Sequence, residues 1–181
     1  MLMDLFDSSG STSPSQDLAQ RPLADKLRPK ILSHVIGQCQ ILGSNGSLST
    51  MLDSGILGSI IFWGPPGVGK TTIAHLLAQE TDLYFVQISV IFSGIPELRR
   101  VFESARIRRD NGQGTLLFVD EIHRFNKAQQ DSFLPLMEDG TIVLIGATTE
   151  NPSFELNAAV LSRSQVMDLE RLNIDDLELL A

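Results

Sequence analysis

Between residues 59 and 169, short runs of apolar residues alternate with longer stretches in which apolar positions recur every three or four residues. The short runs read as strands buried on both faces, and the periodic stretches as helices with one buried stripe. Strands are predicted over 59–63, 83–88, 115–119, 141–145 and 165–169, and helices over 70–80, 96–109, 127–137 and 155–161. Strands that take turns with helices build a parallel sheet covered on both faces. The expected fold is therefore α/β, a three-layer sandwich around a five-stranded parallel sheet.

Outside this alternation the pattern fades. Residues 1–20 are rich in Ser, Asp, Gln and Thr with no apolar period after Phe6, the composition of a flexible tail. Residues 21–40 carry Pro22, Pro29 and Gly37 among short apolar segments and read as a strap across the core. The globular unit is placed at 21–172, and Ile174, Leu177 and Leu180 read as the start of a further helix over 173–181.

Composition narrows the picture. With 181 residues, 43% of them hydrophobic, the chain is long enough for one sizeable core. It has no apolar run of membrane-spanning length and no early Lys or Arg of a secretory leader, so a soluble, cytoplasmic protein is expected. Cys39 is the only cysteine, which excludes an internal disulfide and favours a buried or inert thiol. His34, His75 and His123 are too scattered for a zinc site. A net charge of −8 means that any nucleic-acid contact is a local basic patch.

Candidate chemistry begins at the end of the first strand. Gly64, Pro65, Pro66, Gly67, Val68, Gly69, Lys70 and Thr71 fit G-x-x-x-x-G-K-[ST] between a strand and a helix, with Thr72 next in the helix. Glycines let main-chain amides wrap phosphate oxygens, the helix N-terminus adds partial positive charge, and Lys70 reaches the β and γ phosphates. The Thr71 hydroxyl is a ligand for Mg²⁺. The third strand ends in Asp120 and Glu121, at the edge where α/β sheets hold ligands. Asp120 is expected to hold the Mg²⁺ shell, and Glu121 to orient the water that attacks the γ phosphate. The fourth strand leads to Thr148 and Thr149, either of which can bond that phosphate or water. His123 reads as a packing or hydrogen-bonding residue, with a role in coupling the pocket to a neighbour as the sharper alternative.

With these in view the chain resembles the AAA+ ATPases, and among them a bacterial branch associated with replication and recombination. The resemblance runs nearly unbroken from Pro22 to Leu169. It is carried by Leu27-Arg28-Pro29, Val35-Ile36-Gly37-Gln38, the phosphate loop, Asp120 to Lys127, Gln129-Gln130-Asp131 and the run from Ile145 to Asn157. It implies ATP and Mg²⁺ as cofactors, ATP hydrolysis with DNA unwinding as a further expectation, and a ring of identical subunits. Arg163, in Leu161-Ser162-Arg163, would then act in trans on the γ phosphate of the adjacent protomer, and Ile36 and Gly37 would line the adenine pocket. The family continues into a helical lid that this chain does not include, so turnover by the chain alone is not implied. Asp168 departs from the pattern by placing a charge in an expected strand.

Two partner expectations follow. The helix over 96–109 is rich in arginine, and in related clamp loaders this helix tracks DNA, which points to Arg99, Arg106 and Arg109; pairing of Glu103 with Arg99 and Arg106 is the alternative. Leu5 and Phe6 in the tail are similar to peptides that dock on a sliding clamp. The expected function is ATP-driven remodelling of DNA or clamp complexes at stalled or damaged replication forks, close to the nucleoid. The alternatives are a clamp-loader or branch-migration motor subunit, or a lid-less module that binds nucleotide without turning it over.

Overall fold

The computed structural model describes residues 28–89, 94–174 and 176. The predicted tail with Leu5 and Phe6 lies outside them, as do Leu177 and Leu180.

Five strands form one sheet in the order β2-β3-β4-β1-β5, and every neighbouring pair is parallel. They are β1 (Ser59–Trp63), β2 (Tyr84–Ser89), β3 (Thr115–Asp120), β4 (Ile142–Thr148) and β5 (Ser164–Asp168). The helices are α1 (Cys39–Leu42), α2 (Ser47–Asp53), α3 (Lys70–Glu80), α4 (Ile95–Asp110), α5 (Lys127–Asp131), α6 (Leu134–Glu138), α7 (Pro152–Glu155) and α8 (Ala158–Ser162). The predicted α/β sandwich and its five-stranded parallel sheet are borne out.

Alternation along each strand divides the core in two. Ile60, Phe62, Leu116, Phe118, Ile145 and Ala147 pack with Ile73 and Leu77 of α3 on one face. Ile61, Leu117, Val119, Ile142 and Leu144 pack with Leu98 and Phe102 of α4 and Phe133 on the other.

The differences from the sequence reading have local causes. The helix predicted over 127–137 is two, because Pro135 cannot donate the amide bond that a continuous helix requires. That over 155–161 is likewise two: Asn151 caps the first, and Asn157 precedes the second with extended backbone. Thr141 stays outside β4, its amide bonded to Asp139 Oδ1 at 2.8 Å, while β4 runs on through Gly146 and Ala147 to Thr148. The strap contains a 3-10 turn at Leu32–His34, and α1 and α2 follow it unforeseen, held by Ile41 and Leu48 on the core. Cys39 is exposed rather than buried. Asp168 is exposed as well, at the end of an edge strand, where a charge keeps its hydration.

Phe118 is fully buried in the central part of the sheet. Phe118→Ala is expected to lower unfolding free energy by about 3 to 5 kcal/mol, read as a reduced urea midpoint with unchanged slope.

Candidate functional site

All five strands run the same way, so their C-terminal ends share one edge, and β4 lies between β1 and β3. The loop after β1, Asp120 and Glu121 at the end of β3, and Thr148 and Thr149 at the end of β4 are thereby brought to one edge. A cavity of about 440 Å³ opens there, lined by Arg28, Pro66, Gly67, Gly69, Lys70, Thr71, Thr72, Asp120 and Glu121.

The loop owes its shape to backbone that only glycine adopts freely. Gly67 and Gly69 have φ of 83° and 98°, and Gly69 precedes the first residue of α3 with no side-chain cap. The first amides of α3 are thus left to a ligand. Val68, between the two glycines, is buried in the core beside Ile73 and pins the loop down. Lys70 Nζ donates to the carbonyls of Gly64 at 2.6 Å and Pro65 at 2.7 Å, using two of its three N–H groups. Burial pulls the Lys70 ammonium below its ordinary range, against the opposing field of Glu121 and Asp120.

Across the cavity, Glu121 stands at φ 53°, a left-handed conformation unusual for a residue with a side chain. Its amide donates to Asp120 Oδ1 at 3.1 Å, which turns the chain sharply out of β3 into a 3-10 turn at Ile122–Arg124. Gly146 lets that turn settle on the sheet, since a Cβ there would meet Ile61 and Ile122. His123 then lies with Nε2 3.2 Å from Glu121 Oε2 and Nδ1 2.9 Å from Thr148 Oγ1. The sequence reading found His123 but could not connect it to either partner.

The two threonines separate. Thr148 is fully buried, its hydroxyl accepting from the Glu150 amide at 3.0 Å as well as meeting His123. Thr149 keeps accessible surface at the sheet edge. Neither threonine is among the residues that line the cavity.

Ile36 and Gly37 do not line this cavity. Gly37 turns at φ 79° directly against Leu172 and Asp176, and buried Gln38 bonds the main chain of Glu170 in both directions, at 2.8 and 3.3 Å. These bonds hold the strap against the segment that follows β5. Arg28, which the sequence reading quoted only as part of a resemblance, reaches the cavity from that strap. Its signal was a cation beside Pro29, without a motif of its own.

Arg163 lies outside its own chain's cavity, paired with Glu138 at 2.6 Å and bonded to the Ala159 carbonyl at 3.0 Å. The corner that carries it is stitched by Gln130, which donates to the Phe125 carbonyl and accepts from the Asn157 amide, and by Asn157, which donates to Asp131.

On α4, Arg99 and Arg106 are exposed, and no ion pair within 4.0 Å joins either to Glu103. Arg109 is engaged at the opposite edge of the sheet, with Thr141 at 3.2 Å and Asp139 at 3.5 Å. Arg108 lies there too, on Thr115 and over the ring of Tyr84.

The profile of the ATPase family associated with various cellular activities (AAA) matches residues 60–171, the stretch that builds this sheet and cavity. The chain belongs to the AAA ATPase family. Replication-associated recombination protein A of Escherichia coli is 51% identical over 158 residues, 87% of this chain and 35% of that protein. ATPase WRNIP1 of Dictyostelium discoideum is 46% identical over 159 residues, 88% of this chain and 18% of that protein. The chain thus spans about a third of the bacterial relative's length. Among solved structures of this family, the Thermotoga maritima RuvB Holliday junction branch migration motor superposes with a TM-score of 0.67 at 29% identity, over 85% of this chain and 52% of that one. No helix among the described residues is long and apolar enough to cross a membrane.

The geometry separates Thr148 from Thr149 in a measurable way. Thr148→Val leaves the half-buried His123 nitrogen without its partner and should cost about 1 to 3 kcal/mol of unfolding free energy. Thr149→Val should stay within about 0.5 kcal/mol of the parent in the same urea titration.

Proposed function

We propose that this chain is the ATP-binding and ATP-hydrolysing core of a replication and repair factor acting at stalled or damaged replication forks. The observation that carries the reading is the single cavity in which the phosphate-loop amides, Lys70 and Thr71 face Asp120 and Glu121.

The residues fit a nucleotide with Mg²⁺. Among the described residues no group of three or more His, Cys, Asp or Glu could hold a metal ion. The Thr71 hydroxyl and the Asp120 carboxylate, both lining the cavity, would hold a cation whose other ligands would be phosphate and water, the habit of Mg²⁺. When bound, the ion neutralises charge on the β and γ phosphates. Lys70 and the loop amides grip those phosphates, Thr149 bonds the γ phosphate or the attacking water, and Glu121 orients that water. Ile36 and Gly37 are proposed to border the base, beyond the phosphate cavity.

Arg163 is proposed to complete the site of an adjacent copy in a ring. Its position outside its own cavity supports a role in trans. DNA is proposed to run along α4 through Arg99 and Arg106. Arg109, half exposed and bonded to Thr141 and Asp139 at the far end of the helix, is proposed as a third contact. Sliding-clamp docking through Leu5 and Phe6 stays a proposal from the sequence, as does a cytoplasmic, nucleoid-associated location.

The similarity to RuvB favours one second reading, a branch-migration motor subunit. Identity of 51% to the recombination protein against 29% to RuvB, over nearly the same share of this chain, ranks the replication-fork reading first.

Titration with a fluorescent ATP analogue is expected to show binding that Lys70→Ala weakens by roughly ten- to a hundredfold. Glu121→Gln should keep binding while phosphate release falls by roughly a hundredfold or more. Tight binding with no phosphate release at any protein concentration would instead leave a nucleotide-binding module without turnover. Changing Arg99 and Arg106 together to Glu should weaken DNA binding by the assembled protein and lower its salt slope by about two units, while an unchanged slope removes α4 from the DNA path.

A further inference from the structure

Thr148 is a junction of three connections. Its carbonyl accepts the amide of Gly64, the first residue of the phosphate loop, at 3.1 Å. Its hydroxyl accepts from the Glu150 amide at 3.0 Å, which ties residues 148–150 into one turn containing Thr149. The same hydroxyl meets His123 Nδ1 at 2.9 Å, and the far side of that ring meets Glu121 Oε2 at 3.2 Å.

Donor and acceptor counting gives the chain a direction. An ionised carboxylate only accepts, so the bond to Glu121 requires a proton on His123 Nε2. A neutral ring then offers Nδ1 as an acceptor, and the Thr148 hydroxyl is placed to donate to it. The Glu150 carbonyl is a second acceptor for that hydroxyl proton, but a longer one at 3.2 Å. With a neutral ring the chain runs from the Thr148 hydroxyl through the imidazole to the Glu121 carboxylate. With a charged ring Nδ1 donates to Thr148 Oγ1 and the hydroxyl proton goes to the Glu150 carbonyl, and both arrangements tie Glu121 to Thr148 through His123.

This path is stiff where it must be. Thr148 is fully buried, the side chain of His123 is 13% exposed and that of Glu121 29%. Gly146 seats Ile122, the neighbour of His123, on the sheet. Glu121 leaves β3 at φ 53°, and its carboxylate is held through the contact of Oε2 with His123 Nε2. A small displacement of the turn at 148–150 or of Gly64 moves the Thr148 oxygen, and the ring carries that displacement to the carboxylate.

We infer that His123 is a positioning residue that couples Glu121 to Thr148, and through Thr148 to the phosphate loop, so that filling the phosphate cavity sets the direction of the Glu121 carboxylate. The inference rests on the nucleotide reading of the cavity and adds to it a residue that touches no phosphate. It also gives the buried Thr148 a task different from that of its half-buried neighbour Thr149.

The test reads the imidazole itself. The chain is labelled with ¹⁵N-histidine, and two-bond proton–nitrogen spectra are recorded with and without Mg²⁺ and a non-hydrolysable ATP analogue, His123→Ala assigning the signals. In the free chain His123 is expected to carry its proton on Nε2. Glu121→Gln and Thr148→Val should each shift the His123 ring nitrogens and leave those of His34 and His75 in place. Saturation with the analogue should shift the His123 nitrogens of the parent chain, and in Thr148→Val that shift should be lost at analogue concentrations that saturate the variant. A proton on Nδ1 alone, or a His123 ring indifferent to Glu121→Gln, overturns the inference. Saturable binding with unmoved His123 signals overturns it while leaving the nucleotide reading intact. Failure of the parent chain to take up a fluorescent ATP analogue overturns both.

Discussion

Parallel pairing of β4 between β1 and β3 is the constraint on which the site depends. In a parallel sheet every strand delivers its C-terminal end to the same edge, and every helix that follows a strand begins at that edge. Gly64, Asp120 and Thr148 are far apart along the chain, yet each is the last or next residue of one of three adjacent strands. The start of α3 arrives with the first of them, so main-chain amides and a lysine meet two carboxylates across one cavity. β4, between the two, holds the cationic and anionic halves one strand apart and brings Thr148 to the edge between them.

Charge within the cavity is balanced locally rather than by the whole molecule. Lys70 is nearly buried, which disfavours its charged form, but two carbonyls and two nearby carboxylates stabilise the ammonium. The loop can hold that cation because Val68 is sunk in the core while its flanking glycines take left-handed conformations. Glu121 reaches its place by a left-handed conformation too, but with a side chain. Strain of this kind survives when neighbouring contacts determine the geometry, and the Asp120 carboxylate together with the His123 ring supplies them.

Much of the fold was legible because its signals are local. The apolar runs placed all five strands to within a few residues, and Lys70 to Glu80 was read at its observed bounds. The misses came from short elements and shared residues. Pro135 and Asn157 were visible as helix punctuation, but an apolar stripe that continues past them masked the breaks. α1 and α2 have one buried residue each, too few to generate a period. The bonds of Arg109 were not legible because neither Thr141 nor Asp139 lies at helical spacing from it; the sheet edge brings them together.

What the sequence by itself determined is whatever depends on neighbours along the chain: the phosphate loop, the strand runs and the acids that end β3. Tertiary structure decided which strand lies beside which, that Thr148 is buried and Thr149 accessible, that Arg28 reaches the cavity, and that His123 joins Glu121 to Thr148. The reason is physical. A loop's backbone conformation is set by the residues within it, whereas a bond between side chains on different strands exists only after the sheet has fixed their order and register.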